Sequence, residues 1–332
     1  MTPILEVRSL SKQFRSGGVL RPSRLHAVDD VSFALTPGRI TALAGESGSG
    51  KSTVARLILR LLESSGGEVR FDGRDVSNKR RRRDMLRYRS QVQMIFQDPF
   101  GSLNPAKTVR HHLERPLRIH GIAGRRDAGA RVDALLETVG LVPASRFASA
   151  YPHELSGGQR QRVAIARALA ANPKVVIADE PISMLDVSIR IGILNLMRYL
   201  KELDIAFLYV THDLASARYV ADDILVMYAA QIVEQGPVDE VLANPLHPYT
   251  RLLIASVPDG ERTLEPIEIR KGTAAAAVDP APGCRFVDRC PLAVDVCRHE
   301  TPDLVEAEPG RIARCHVTAP RQREDMHAQP AA

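Results

Sequence analysis

A chain of 332 residues is more than one compact domain usually needs, so one large core with an appendage, or two units, is expected. Its composition is ordinary for a globular protein, 44% hydrophobic and 25% charged with no Trp, which calls for a mostly aliphatic core that needs no disulfides. The net charge of +6 is too mild to argue for nucleic acid or a membrane surface, no apolar run approaches the roughly 20 residues of a membrane helix, and MTPILEVRSLSKQF lacks a signal-peptide apolar region, so a cytosolic chain is expected.

ILEVRSL reads as a short strand, followed by a basic loop or wide hairpin turn, FRSGGVLRPSRLH. AVDDVSFAL alternates as a half-buried strand. After the turn TPGR, the strand RITALAG runs into the glycine-rich GESGSGKST, and VARLILRLLE resumes as a helix. GGEVRFDGRDV reads as a hairpin, and NKRRRR (Asn78 to Arg83) as a solvated charged stretch preceding a helix, with no interleaved aromatics to stack on bases. VQMIFQDP is an apolar strand. From Leu103 to about Ala170 the pattern is helical, with HHLERPLRIHG and RVDALLETVGL amphipathic. Then come the buried strand KVVIADEP, the helix SIRIGILNLMRYLKEL, the buried strand IAFLYVTHD and the hairpin DDILVMYAAQIVEQG with Ala-Ala at its turn. Strand and helix alternate, so the expected fold is α/β with a largely parallel sheet, interrupted by a helical insert. A polar linker with an Ala run leads to a segment holding all four cysteines, and the tail from residue 319 is expected to be disordered.

GESGSGKST, Gly45 to Thr53, fits G-x-x-x-x-G-K-[ST] between a strand and a helix. Gly45, Glu46, Ser47, Gly48, Ser49 and Gly50 would wrap phosphates with their backbone. Lys51 would reach the β/γ-phosphates, and Ser52, ahead of Thr53, would hold Mg²⁺. The run VVIADE delivers Asp179 to a strand end as a second Mg²⁺ ligand. Glu180 is expected on the other side of the pleat, suited to orienting or deprotonating water. Gln97 and His212 also follow buried strands, whose C-terminal ends converge on the ligand crevice of a parallel sheet. These four residues are expected to ring one γ-phosphate and its Mg²⁺. LSGGQRQR, from Leu155, opens the helix VAIARALAAN with a second glycine-rich anion site.

With these residues in this order, residues 4 to 240 resemble an ATP-binding-cassette (ABC) transporter ATPase, a P-loop NTPase with a RecA-like core, an antiparallel β subdomain and a helical subdomain at about 100–170. GESGSGKST resembles the Walker A loop and VVIADE the Walker B strand. Gln97 falls in the Q-loop, LSGGQ is similar to the signature, MLD ending at Asp186 resembles the D-loop, and His212 matches the switch histidine. The resemblance implies ATP and Mg²⁺, with Ser52, Gln97 and Asp179 at the metal and Glu180 and His212 catalytic. It also implies head-to-tail packing of two cassettes, so that Ser156, Gly157, Gly158 and Gln159 touch ATP held by the other copy. Phe14 matches the aromatic that stacks on adenine. Ile182 and Met184 depart from the Thr and Ala common near the D-loop, which puts inter-site communication in doubt. QDPFGSLNP, from Gln97 to Pro105, would meet the membrane subunit.

NPLHPYTRLLIASVP, from Asn244, resembles the HPY segment of oligopeptide and dipeptide importer ATPases, and GCRFVDRCPLAVDVC…ARCH resembles their C-terminal cysteine segment. The expected division is a cassette at 1–243, a C-terminal segment at 244–318 and the tail. Cys284, Cys290, Cys297 and Cys315 have gaps of five, six and seventeen residues, unlike the paired C-x₂-C of common zinc sites. Four thiolates can hold an iron–sulfur cluster or zinc, or stay reduced as structural cysteines; the resemblance favours a [4Fe–4S] cluster. It further implies two transmembrane permease subunits, a second ATPase subunit, identical or homologous, an extracytoplasmic substrate-binding protein reached indirectly, and a peripheral place on the cytoplasmic face of the membrane. Importers of nickel, glutathione, opines or oligosaccharides use similar ATPases and stay open as alternatives. A soluble ABC ATPase of translation or DNA repair is the more distant rival, since one cassette without coiled-coil or zinc insertions is present.

Overall fold

The computed structural model describes residues 2–16, 23–77, 82–124, 126–256 and 278–318. The basic run from Asn78 enters that description only at Arg82, while the Ala-bearing linker and the tail from residue 319 lie outside it.

The chain begins with β1 (Leu5–Ser16) and β2 (Ser23–Leu35), an antiparallel pair. Phe14 to Ser16, read from sequence as loop, continue the ladder opposite Leu25 to Ser23. Next come β3 (Ile40–Ala44), α1 (Lys51–Ile58), β4 (Gly66–Phe71), β5 (Arg74–Asp75), α2 (Arg82–Gln91) and β6 (Val92–Ile95). Helix α1 stops short of the apolar pattern that suggested it: Arg60 takes a left-handed φ of 55°, and the Tyr88 hydroxyl caps the Ile58 carbonyl at 2.6 Å. The helical insert holds α3 (Pro99–Ser102), α4 (Val109–Ile119), α5 (Ala128–Thr138) and α6 (Ala144–Ser149), and leads into α7 (Gly157–Leu169). Four-residue spacing puts Val109, Leu113 and Leu117 of α4, and Val132 and Leu136 of α5, in a shared core. The remainder is β7 (Val175–Asp179), α8 (Val187–Lys201), β8 (Ala206–Thr211), α9 (Leu214–Val220), β9 (Asp223–Tyr228), β10 (Gln231–Pro237), α10 (Val238–Ala243), α11 (Pro248–Ala255), β11 (Val305–Glu308) and β12 (Arg311–Ala313).

Two sheets organise these elements. One is antiparallel, in the order β2-β1-β4-β5; the other has eight strands, β11-β12-β10-β9-β3-β8-β7-β6. From β6 through β7, β8 and β3 to β9 every pairing is parallel. Strands β7 and β8 are apolar at nearly every position because each face meets a different core. Val176, Phe207 and Tyr209 pack towards the helical insert, whereas Val175, Ile177, Leu208 and Val210 pack towards α1 and the antiparallel sheet.

The cysteine segment is built into this architecture. Strand β12 pairs with β10, placing Glu234 opposite Ala313, so the sheet runs on into residues expected to form an appendage. Tyr249, Leu253, Phe286 and Cys290 sit in the same apolar core as the helical insert. Packing therefore crosses residue 244 without a break.

His247 secures the start of α11. It is 1% exposed, and its Nδ1 accepts the Tyr249 backbone N–H at 3.0 Å, so the ring is neutral with the proton on Nε2. Burial pushes its pKa down to about 3. A depressed histidine pKa means that the unfolded chain binds one more proton between that value and the ordinary 6.5. The stabilisation is complete above pH 6.5 and lost as pH falls, by about 1.4 kcal/mol per pH unit. In urea unfolding, wild type should lose about 2 kcal/mol more than His247→Asn between pH 7.5 and 5.0, since Asn can still cap the helix without titrating. Equal pH slopes for the two proteins would refute this origin.

Candidate nucleotide site

The order β3-β8-β7-β6 aligns four strand ends that carry chemistry. After β3 comes the Gly45–Thr53 loop, β8 is followed by His212, β7 ends on Asp179, and Gln97 lies just past β6. A parallel sheet points all these ends to one edge, and the loop there borders a cleft of about 490 Å³.

Two glycines of the loop could be no other residue. Gly45 has φ 153°, and a Cβ there would lie 2.1 Å from the Met227 carbonyl oxygen. Gly50 has φ 108°, and its Cβ would lie 2.2 Å from the Ala27 carbonyl oxygen. Lys51 is 6% exposed, and its ammonium donates to the carbonyls of Gly45 at 2.7 Å and Glu46 at 2.8 Å. Burial lowers its pKa against the opposing pull of Glu180, Asp179 and Glu46. The Ser52 hydroxyl donates to Asp179 Oδ1 at 3.2 Å. Burial raises the Asp179 pKa, with the Ser52 bond opposing. These are hard oxygen donors of the kind Mg²⁺ takes, and a bound divalent cation would oppose that rise by favouring the carboxylate.

Glu180 is the hub of the other wall. Gln97 Nε2 donates to its Oε2 at 2.9 Å, and His212 Nδ1 lies 3.1 Å from its Oε1. The expected ring of Gln97, Asp179, Glu180 and His212 is thus assembled, but not by strand alternation. Strand β7 ends at Asp179, and Glu180 adopts a left-handed φ of 45°, with its N–H donating to the Val210 carbonyl at 2.9 Å. That turn, rather than the pleat, aims the carboxylate. Gln97 spends its amide N–H on Glu180, leaving Oε1 as its one atom able to face a metal. Phe14 is 37% exposed and borders the cleft beside Leu25 and His26, with the Lys12 ammonium 5.1 Å from its ring centroid.

The comparisons agree with this geometry. Residues 28–183 match the ABC transporter family, and residues 233–297 match the oligopeptide/dipeptide transporter C-terminal region. The chain is 43% identical over 322 residues, 95% of its length and 97% of the relative's, to the oligopeptide transport ATP-binding protein AppF of Bacillus subtilis (strain 168). It is 42% identical, over 95% of each chain, to the putative oligopeptide transport ATP-binding protein YkfD of the same organism. The chain is an ABC transporter ATP-binding protein. Solved cassettes share its fold. One, a dimer in a post-hydrolysis state bound to ADP and Pi, is 29% identical with TM-score 0.62, over 70% of this chain and 98% of that one. Another, an ADP conformation, is 28% identical with TM-score 0.63, over 77% and 100%.

The cassette's other motifs stand away from the cleft. Ser156 N-caps α7 in a capping box: its Oγ accepts the Gln159 N–H at 3.3 Å, and the Gln159 side chain accepts the Ser156 N–H at 2.9 Å. None of Ser156, Gly157, Gly158 or Gln159 lines the cleft. Gly158 is buried against Ile189 of α8, where a Cβ would approach Cγ2 to 2.5 Å. Asp186 caps α8 by position only and is exposed. The two departures near it separate, Ile182 being 5% exposed and Met184 55%.

The four cysteines converge and form no disulfide with one another. Cys290, Cys297 and Cys315 are buried, and the Cys284 N–H donates to the Cys297 carbonyl at 2.8 Å. The Cys284 thiol is pushed up to about 11, first by burial and then by the other three sulfurs. Yet among the described residues no group of three or more His, Cys, Asp or Glu is arranged to hold a metal ion, so the expectation of a cluster or zinc finds no ready-made site.

What the motifs did not reveal is how the C-terminal segment reaches the loop. The Tyr249 hydroxyl accepts the Glu46 backbone N–H at 2.9 Å, and Arg289 pairs with the Glu46 carboxylate at 3.2 Å. Arg285 donates to the Ala229 carbonyl and to Asp29. The one available signal was an arginine beside each of the first two cysteines.

Proposed function

We propose that this chain is the ATP-hydrolysing subunit of an ABC importer for dipeptides and oligopeptides. The hydrolytic half rests on Glu180, held by Gln97 and His212 across the cleft from Lys51. Glu180 polarises the attacking water, His212 senses the γ-phosphate, Lys51 neutralises charge on the phosphates and Phe14 stacks on the base. Mg²⁺ held at Ser52 and Asp179 would neutralise charge developing between the β- and γ-phosphates. Ser156, Gly157, Gly158 and Gln159 serve ATP on a second cassette, a reading supported by a preorganised α7 N-terminus that the chain's own cleft does not use.

The transport half is supported by the match at residues 233–297 and by relatives that carry peptide or oligopeptide transport in their names. Among the described residues no helix is long and apolar enough to cross a membrane, so permease subunits would supply the pathway, with this chain peripheral on the cytoplasmic face. Beside Gln97 lies a groove of about 650 Å³ that Leu61, Met94, Phe96 and Gly101 line, a seat for a permease helix. An external binding protein would hold the peptide. Purification of the tagged chain from detergent-solubilised native membranes should recover two multi-span permeases, with or without a second ATPase. Recovery alone, or with ribosomes or repair proteins, would overturn the reading.

At the C-terminal segment, four thiols match by number a thiolate-held [4Fe–4S] cluster or zinc, but holding either would require the sulfurs to draw together. Anaerobic purification with iron, sulfide and zinc analysis tests this. A colourless, metal-free protein would leave them as a reduced, packed core.

A further inference from the structure

Four arginines of the C-terminal segment each meet a carboxylate of the cassette. Arg285 pairs with Asp29, Arg289 with Glu46 at 3.2 Å, Arg311 with Glu234 at 3.1 Å, and Arg314 with Asp30 at 3.3 Å. Two of these contacts reach the walls of the nucleotide cleft. Glu46 belongs to the phosphate loop, and Arg285 also holds the Ala229 carbonyl in the turn between β9 and β10. In that turn both alanines are left-handed, with φ of 42° and 74°, and the Ala230 N–H donates to the Ser49 carbonyl at 3.0 Å. The loop is therefore gripped on two sides by residues next to Cys284 and Cys290.

Arg289 is fitted to its task. Its side chain is 13% exposed, and its guanidinium lies 5.7 Å from the Tyr228 ring centroid and 5.6 Å from that of Phe286. Both terminal nitrogens approach Glu46, at 3.3 and 3.2 Å. Tyr249 packs against Tyr228 at 4.5 Å and fixes the Glu46 backbone through its hydroxyl. Side chain and main chain of one loop residue are thus both held by the C-terminal segment. The need is electrostatic. Glu46 borders the cleft, and its charge reaches Lys51. Unpaired, that carboxylate would oppose a polyphosphate.

We propose that the C-terminal segment is part of the nucleotide site in cis: Arg289 is a positioning residue that holds and neutralises Glu46, so that the phosphate loop accepts a triphosphate. This rests on the reading of the cleft as an ATP site. The role is distinct from any metal at the cysteines and from any contact with a permease.

The test is calorimetric titration of the full-length chain with a non-hydrolysable ATP analogue and with ADP. Arg289→Ala should weaken the analogue roughly ten-fold and ADP less, because the analogue brings one more negative charge to an uncompensated Glu46. Adding Glu46→Gln to Arg289→Ala should restore most of the lost affinity, and Arg289→Lys should fall between Ala and wild type. A purely structural Arg289 would lower the melting temperature without separating the two nucleotides and without rescue. Unchanged affinity in Arg289→Ala, equal loss for both nucleotides, or failure of Glu46→Gln to rescue would each overturn the proposal. Wild type binding neither nucleotide would sink the ATP-site reading itself, and this inference with it.

Discussion

Glu180→Gln should reduce steady-state ATP turnover by about 10² to 10⁴ while leaving ATP binding in place, the loss expected when a group that handles a proton in the transition state is removed. The substitution is nearly isosteric, and the local hydrogen bonds predict how the amide settles. Gln97 offers an N–H to Oε2, so the new carbonyl must stay on that side. The amide N–H₂ then faces His212 Nδ1, which lies 3.1 Å from Oε1 and can accept from it when its proton sits on Nε2. The wall keeps its shape and loses only its negative charge. In the proposed site, binding rests on the phosphate loop, Lys51 and the Ser52–Asp179 pair, none of which hydrogen-bonds Glu180 through its side chain. Single-turnover and equilibrium-binding measurements with the variant separate the two effects. Turnover within a few-fold of wild type would remove Glu180 from the chemistry and leave His212 as the remaining candidate.

The proposed hydrolytic wall is legible in the sequence because its members follow apolar runs. A buried strand advertises itself by composition, a parallel sheet brings strand ends to one edge, and Gln97, Asp179 and His212 are the polar residues at those ends. Glu180 is legible as a residue but not as a geometry. Its orientation comes from a left-handed turn that no propensity predicts for glutamate. The same limit applies to Ala229 and Ala230, whose turn is visible as a break between two strands while its left-handed alanines are not.

The C-terminal segment is the larger gap between sequence and structure. Motif boundaries suggest a division at residue 244, yet Arg285, Arg289, Arg311 and Arg314 find partners more than seventy positions earlier. Ion pairs at such separation leave no periodicity, and of their cassette partners Asp29, Asp30 and Glu234 fall outside every motif while Glu46 lies inside one. Glu46 is one of the unspecified positions of the phosphate-loop pattern, which is why its pairing with Arg289 could not be anticipated.

Glu234→Ala should cost about 3–5 kcal/mol of unfolding free energy. Glu234 is fully buried, and one carboxylate does three jobs. Its oxygens accept the backbone N–H of Leu246 at 2.8 Å and of His247 at 2.9 Å, and it pairs with Arg311 at 3.1 Å. Alanine would orphan two buried N–H groups and leave Arg311, whose side chain is 4% exposed, with Glu308 and the Asn244 carbonyl as its partners among the described residues. The pair Glu234→Gln with Arg311→Met should recover a large part of the loss, because the buried cation goes while an acceptor for the N–H groups stays. Urea unfolding at constant m-value measures both variants. Because the same carboxylate ties β10 to β12 and to the start of α11, Glu234→Ala should also expose the chain after α10 to limited proteolysis, with the cassette core left intact. A loss below about 1 kcal/mol, in the range of a solvent-exposed pair, would mean that the C-terminal segment docks on its apolar contacts alone.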